Sequence, residues 1–196
     1  MRKILLLVSL FFLTSYSFAQ DSEKESYVRT PALGISFAFN DFITPRRIRA
    51  SSLSSVLANK QKAKFNDMDA GILVSYFKGL NSHLDLATTL GGSFVEYAVG
   101  SDNASDNRFL LEADVSLNAK LLSEKYWFTP YISLGAGISK YGSYYGAFIP
   151  AGVGLKLNLF DEAHIFFNSQ YRIPVTPSTS NYHFMHSIGI AGTLGK

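Results

Sequence analysis

Six charged residues share a pattern that could do chemistry. Asp85, Glu112, Asp114, Lys120, Lys156 and Arg172 each fall on the polar phase of segments whose alternate residues are apolar. Acids and bases gathered on one confined face must pair or stay hydrated, because a lone buried charge is expensive. Two readings follow: a structural ion-pair network, or a gated passage whose pairs exchange partners. The network is the favoured reading, since a face closed into a small barrel leaves a lumen too narrow to conduct freely. One sequence does not assign the partners, and Glu112 with Arg172 is named as the candidate pair.

A second set is basic. Arg46, Arg47, Arg49, Lys60, Lys62 and Lys64 crowd the long polar stretch from Asn40 to Asp67, which carries the residue types that bind phosphate. A solvated loop is the competing reading. Within it Leu53, Val56 and Leu57 follow Ser51 and Ser52 at helical spacing, so a short amphipathic turn is expected. The histidines are His83, His164, His183 and His186. In an alternating segment His183 and Ser187 share a face while His186 lies opposite, so the spacing builds no triad and no metal pair. No catalytic residue, metal or cofactor is assigned, and the reading is of a non-enzyme.

The elements that must position these residues are strands, because the dominant period is two. From Leu110 to Leu121, the set Leu111, Ala113, Val115, Leu117, Ala119, Leu121 opposes Leu110, Glu112, Asp114, Ser116, Asn118, Lys120. Similar alternation runs through Phe128–Ile138, Ile149–Leu159 and Ile165–Ile173. Weaker versions lie at Leu33–Phe39, Gly71–Phe77, Leu84–Phe94 and Phe184–Leu194. That makes about eight strands, all-β. A water-soluble sandwich would not easily explain so many charges opposite leucines over long strands. A barrel with its apolar face in lipid does. Aromatic residues gather at both strand ends, as two headgroup belts would require: Phe39, Tyr97, Phe109, Tyr141, Tyr144, Tyr145, Phe148 and Tyr182 at one, Tyr76, Tyr126, Trp127, Phe128 and Phe160 at the other.

The connectors alternate. Lys78–His83, Leu121–Tyr126 and Phe160–Ala163 read as short turns. Asn40–Asp67, Ala98–Asn107, Lys140–Gly146 and Val175–His183 read as mostly longer outer loops. Short turns inside and long loops outside, with an even strand count, put both termini in the periplasm. Residues 1–19 read as a secretory signal peptide: Arg2 and Lys3, an apolar stretch from Ile4 to Leu13, and small residues Ser17 and Ala19 before Gln20. Residues 20–31 are then a periplasmic segment, and 32–196 the barrel. Without Arg2 and Lys3, the 18 basic residues lose two against 15 acids, and the net charge falls from +3 to +1, which speaks against nucleic acid as a partner. The chain has no cysteine, so no disulfide supports it.

From about Ala32 to Leu194 the chain resembles small outer-membrane barrels of the OmpA/OmpX type, the barrel domain of OmpA-like porin families. The resemblance is carried by LGISFAFNDF (Leu33–Phe42), VSYFKGLNSHLDL (Val74–Leu86), FTPYISLGAGI (Phe128–Ile138) and NSQYRIPVT (Asn168–Thr176). The sequence closes on Thr193, Leu194, Gly195, Lys196, so no peptidoglycan-binding domain is expected after the barrel, and the final aromatic residue common in such barrels is not there. The resemblance implies a transmembrane, antiparallel up-and-down barrel integral to the outer membrane of a Gram-negative envelope. Implied partners are outer-membrane lipids, lipopolysaccharide beside the basic loop, and the barrel-assembly machinery. The implied role is envelope integrity, with a narrow or gated pore left open. Adhesion through the outer loops is the alternative, and a lipid A-modifying enzyme the least favoured.

Overall fold

A computed structural model describes residues 28–96, 108–123, 125–159 and 162–195. The signal peptide and most of the expected periplasmic segment lie outside these residues, as do Tyr97, Phe160 and most of the connector between the third and fourth strands.

Eight strands follow one another: β1 (Ala32–Asp41), β2 (Asp69–Gly79), β3 (Leu84–Val95), β4 (Arg108–Lys120), β5 (Phe128–Tyr141), β6 (Tyr144–Leu159), β7 (Ala163–Pro174) and β8 (His183–Thr193). Each pairs antiparallel with its neighbours, and β1 pairs with β8 from Ala32↔Thr193 to Asp41↔Phe184, closing the barrel. Closure leaves no strand edge with unpaired backbone groups, a requirement in hydrocarbon.

The alternation sorts the side chains with inverted polarity. Ile35, Phe37, Ile72, Leu90, Val115, Ile132, Leu134, Val153 and Ile190 stand exposed on the outer wall. Ser36, Ser75, Asp85, Glu112, Asp114, Asn118, Lys120, Lys156, Gln170 and Arg172 are buried inside. An apolar outside around a charged inside is the arrangement of a transmembrane barrel. Two inner rings lie over glycines on the facing strand, Tyr131 over Gly154 and Phe148 over Gly137. A Cβ built on Gly154 would stand 2.2 Å from the Tyr131 ring, and on Gly137 2.4 Å from the Phe148 ring. Glycine there admits an aromatic that a larger residue would expel.

Three expectations are corrected. The spacing predicts a loop over Lys140–Gly146, but β5 and β6 extend to Tyr141 and Tyr144 and only Gly142 and Ser143 turn the chain. Gly142 has φ +57°, the left-handed conformation that lets a two-residue hairpin follow the strand twist. The strict alternation of long and short connectors therefore fails at this hairpin. The first connector is not an open loop. It holds helix α1 (Ile43–Ala50), helix α2 (Leu53–Ala58), which is the expected amphipathic turn with its N-terminus capped by Ser52, and a 3-10 turn at Phe65–Asp67. Finally, Tyr141 and Phe148 leave the outer aromatic belt, because strand phase turns both inward, where they are 3% and 2% exposed.

Candidate functional site

The lumen charges form two clusters, where one network was expected. In the first, Asp85 near the start of β3 takes both lysines. Lys120 Nζ stands 2.5 Å from Oδ1, and Lys156 Nζ donates to Oδ2. Lys156 also lies 5.1 Å from the Phe77 ring centre and 5.9 Å from that of Tyr131. In the second, Arg172 of β7 reaches across the lumen to β4. Its Nη1 donates to Glu112 Oε2, and its Nη2 lies 3.0 Å from Asp114 Oδ2. Ser116 Oγ donates to the other Asp114 oxygen at 3.0 Å, and His183 Nε2 lies 3.5 Å from Glu112 Oε2. The Phe148 ring covers the guanidinium at 4.7 Å. Strand phase puts all six on the inner face, but depth divides them. Asp85, Lys120 and Lys156 sit near the end where β2 turns into β3, and the Arg172 group sits toward the opposite mouth.

Between the clusters lies a polar layer that includes Asn118, Asn168 and Gln170, with Ser75 and Thr89 hydrogen-bonded at 3.0 Å. The space left there is about 20 Å³, room for about one water.

Both mouths are covered. At the end of the first cluster, the residues before β1 cross the opening. Arg29 is 4% exposed, donates through Nη1 to Asn158 Oδ1, and places Nη2 3.3 Å from the Ala163 carbonyl. At the other end Asp41 Oδ1 accepts the backbone N–H groups of Ile43 and Thr44, at 2.9 and 2.8 Å, and so starts α1 at its positive end. Phe42 stacks on His183 with ring centres 4.5 Å apart. Thr44 Oγ1 accepts from Ala63 N at 2.8 Å, and Arg47 Nη1 donates to the Gln61 carbonyl at 2.5 Å. These two bonds draw the halves of the connector together. Arg46, Arg47, Arg49, Lys60, Lys62 and Lys64 therefore stand exposed on one folded lobe.

The histidines and Ser187 assemble no triad. His183 and Ser187 face the lumen, where His183 serves the Arg172 cluster. His186 faces outward and bonds through Nδ1 to Ser169 Oγ at 2.9 Å. Among the described residues no group of three or more His, Cys, Asp or Glu is placed to hold a metal ion. Arg29 is not singled out by the sequence, and His164 is named there only as one of the histidines. His164 is fully buried against the Phe77 ring, with centres 5.3 Å apart. Its signal was available, since it shares strand phase with Phe166 and Arg172. Arg29 lies before the alternation begins, where periodicity is silent.

No family model matches the chain, and no curated protein matches it. Solved structures do. The Neisserial surface protein A (NspA) superposes with a TM-score of 0.55 at 11% identity, over 86% of this chain and 99% of that one. The N-terminal β-barrel domain of Pseudomonas aeruginosa OprF gives 0.53 at 11% identity, over 86% and 100%. Ail, the attachment invasion locus protein of Yersinia pestis, gives 0.52 at 11% identity, over 85% and 99%. At such identity the likeness is one of fold: this chain is a small eight-stranded barrel similar to those of NspA, OprF and Ail.

Proposed function

We propose that the chain is a non-enzymatic, integral protein of the bacterial outer membrane that serves envelope integrity as a closed barrel. Residues 1–19 direct export, 20–31 form a periplasmic segment, and 32–196 form the barrel, inserted by the barrel-assembly machinery with both termini in the periplasm. The observation that carries the reading is the filled lumen, with two buried ion clusters and a layer between them that leaves about 20 Å³. Small barrels of this strand number fill their interior with side chains, whereas conducting porins are far wider. Planar-bilayer recording tests it. The refolded chain is expected to show no steady conductance at moderate voltage. Stable single-channel steps would overturn the closed-barrel reading and favour a pore.

A second reading, surface interaction through the outer loops, is favoured by the six cations on one lobe. Ail, similar in fold, has been solved with the heparin analogue sucrose octasulfate, at 12% identity and a TM-score of 0.51. One experiment addresses both orientation and this reading. Trypsin added to intact cells is expected to cut among Lys60, Lys62 and Lys64 and to spare Lys125 in the turn before β5. The second reading requires that the clipped cells lose salt-sensitive retention on a heparin matrix. Cutting only after Lys125 would invert the topology, and unchanged retention would end the second reading.

A further inference from the structure

The Arg172 cluster is one cation short. Glu112 and Asp114 are both buried, and the single guanidinium of Arg172 answers both. Two carboxylates against one guanidinium leave an excess negative charge in a lumen where uncompensated charge is costly. Among the described residues, the only other basic nitrogen in ion-pair contact with either acid is His183 Nε2, 3.5 Å from Glu112 Oε2. His183 is 3% exposed and opposes Arg172 directly in register. Its Nδ1 lies 3.2 Å from the Asn181 carbonyl oxygen.

Each of these contacts asks for a proton. A carbonyl oxygen only accepts, so Nδ1 carries a hydrogen. A carboxylate oxygen also only accepts, so a neutral ring would turn the lone pair of Nε2 toward Glu112. The arrangement is attractive only with hydrogen on both nitrogens, which makes the ring a cation. Phe42 stacks on the same imidazole with centres 4.5 Å apart, and the face of an aromatic ring favours a cation. Charged His183 brings the cluster to neutrality. Arg172 alongside opposes that charge, but both cations meet the same Glu112 oxygen. The other charged groups near this mouth are placed elsewhere. Asp41 of β1 accepts the first N–H groups of α1, and Asp69 of β2 lies opposite Asn40. Arg108 of β4 lies beside Gly142, and Arg46, Arg47 and Arg49 of α1 are exposed. On β8 itself, His186 faces outward to Ser169.

Phe42 ties this charge to the lobe. It is the residue between β1 and α1, and besides His183 it packs against the buried group of Val95, Leu110 and Tyr141. We propose that His183 is a pH-operated latch on the lobe-side mouth. Protonated, it completes the Arg172 cluster and holds Phe42, and with it α1, against the barrel. Deprotonated, it restores the excess negative charge, faces Glu112 with a lone pair, and lets Phe42 and α1 lift. The latch is therefore shut in acid and loosens as pH rises through the range in which an imidazolium gives up its proton. The inference goes beyond the closed-barrel reading and rests on the fold alone.

The test uses the mature chain, with isotope-labelled histidine, refolded in phosphatidylcholine nanodiscs. Nitrogen NMR of the His183 ring, assigned through the β8 backbone, reports how many ring protons it carries. Two are expected at about pH 5.5 and one at about pH 9. Over the same range the hydrogen-exchange protection of the α1 amides, corrected for the intrinsic pH dependence of exchange, should fall. The expected fall is about tenfold, the factor that one charge-assisted hydrogen bond supplies. Protection of Ile132 to Leu134 in β5 should stay level. In His183→Gln, which carries no charge, α1 should exchange fast at both pH values. A single ring proton at both pH values in the unaltered chain would overturn the charged cluster. Two at both would overturn the switch. A ring that titrates while α1 keeps its protection would overturn the latch, as would a pH dependence of α1 that survives in His183→Gln.

Discussion

Arg172→Gln is expected to destabilise the folded barrel by about 3–5 kcal/mol, the usual cost of stranding buried charges by removing their partner. Arg172 is 1% exposed, and it answers two carboxylates, Glu112 and Asp114, that are themselves buried. Glutamine keeps much of the volume but leaves both acids facing each other in a narrow lumen, with His183 the nearest remaining base. The measurement is urea unfolding in lipid vesicles for Arg172→Gln, Glu112→Gln and the double variant. The double variant should lose less than the sum of the single losses, because removing Glu112 relieves part of what the missing guanidinium leaves behind. Strictly additive losses would show that Arg172 and Glu112 do not depend on each other.

Val115→Arg should be nearly as severe, at about 2–4 kcal/mol if the residue lies near the bilayer midplane. Val115 stands mid-strand on the outer wall of β4 and is 48% exposed. On a water-soluble barrel an arginine at such a position would be almost silent. The comparison is Leu57→Arg, 60% exposed on helix α2 above the wall, where no loss is expected. Unfolding free energies in vesicles decide the matter. A silent Val115→Arg would mean that this wall does not meet hydrocarbon, and the membrane reading would fall. The lumen side offers no mild counterpart. Ser116 is 2% exposed and bonded to Asp114, so an arginine there would overpack the interior.

How far the sequence could be read depended on what alternation encodes. It reports face. Glu112, Asp114, Lys120, Lys156 and Arg172 were placed inside because a period of two admits no other phase opposite Leu111, Val115 and Leu155. It does not report depth or angular position around the barrel, so the division into an Asp85 cluster and an Arg172 cluster was not visible. The Gly142–Ser143 hairpin was legible in principle, since a glycine–serine pair between aromatic strand residues is a two-residue turn signal. Alternation does not resolve it, because Tyr141, Tyr144 and Tyr145 suit a headgroup belt at strand ends as well as the loop between them. Helix α1 was missed for a similar reason. Pro45 suggests a break, yet proline is tolerated in a first helical turn, and Asp41 just upstream supplies the cap. Ser169 breaks the apolar phase of its strand, and only register, which sets it beside His186, shows what partner it has.

The bond between β7 and β4 also bears on the order of events as the chain acquires its structure. Hairpin contacts between neighbouring strands form between residues close in sequence. The grip of Arg172 on Glu112 and Asp114 joins strands that are not neighbours, across a space that exists only once β1 meets β8. Its stabilisation arrives only when the wall is complete, and it is expected to form late, after the rate-limiting barrier. Interactions of that kind leave the folding rate almost unchanged and act on the rate of escape. On that expectation the ion cluster acts as a kinetic lock: Arg172→Gln should speed unfolding far more than it slows assembly.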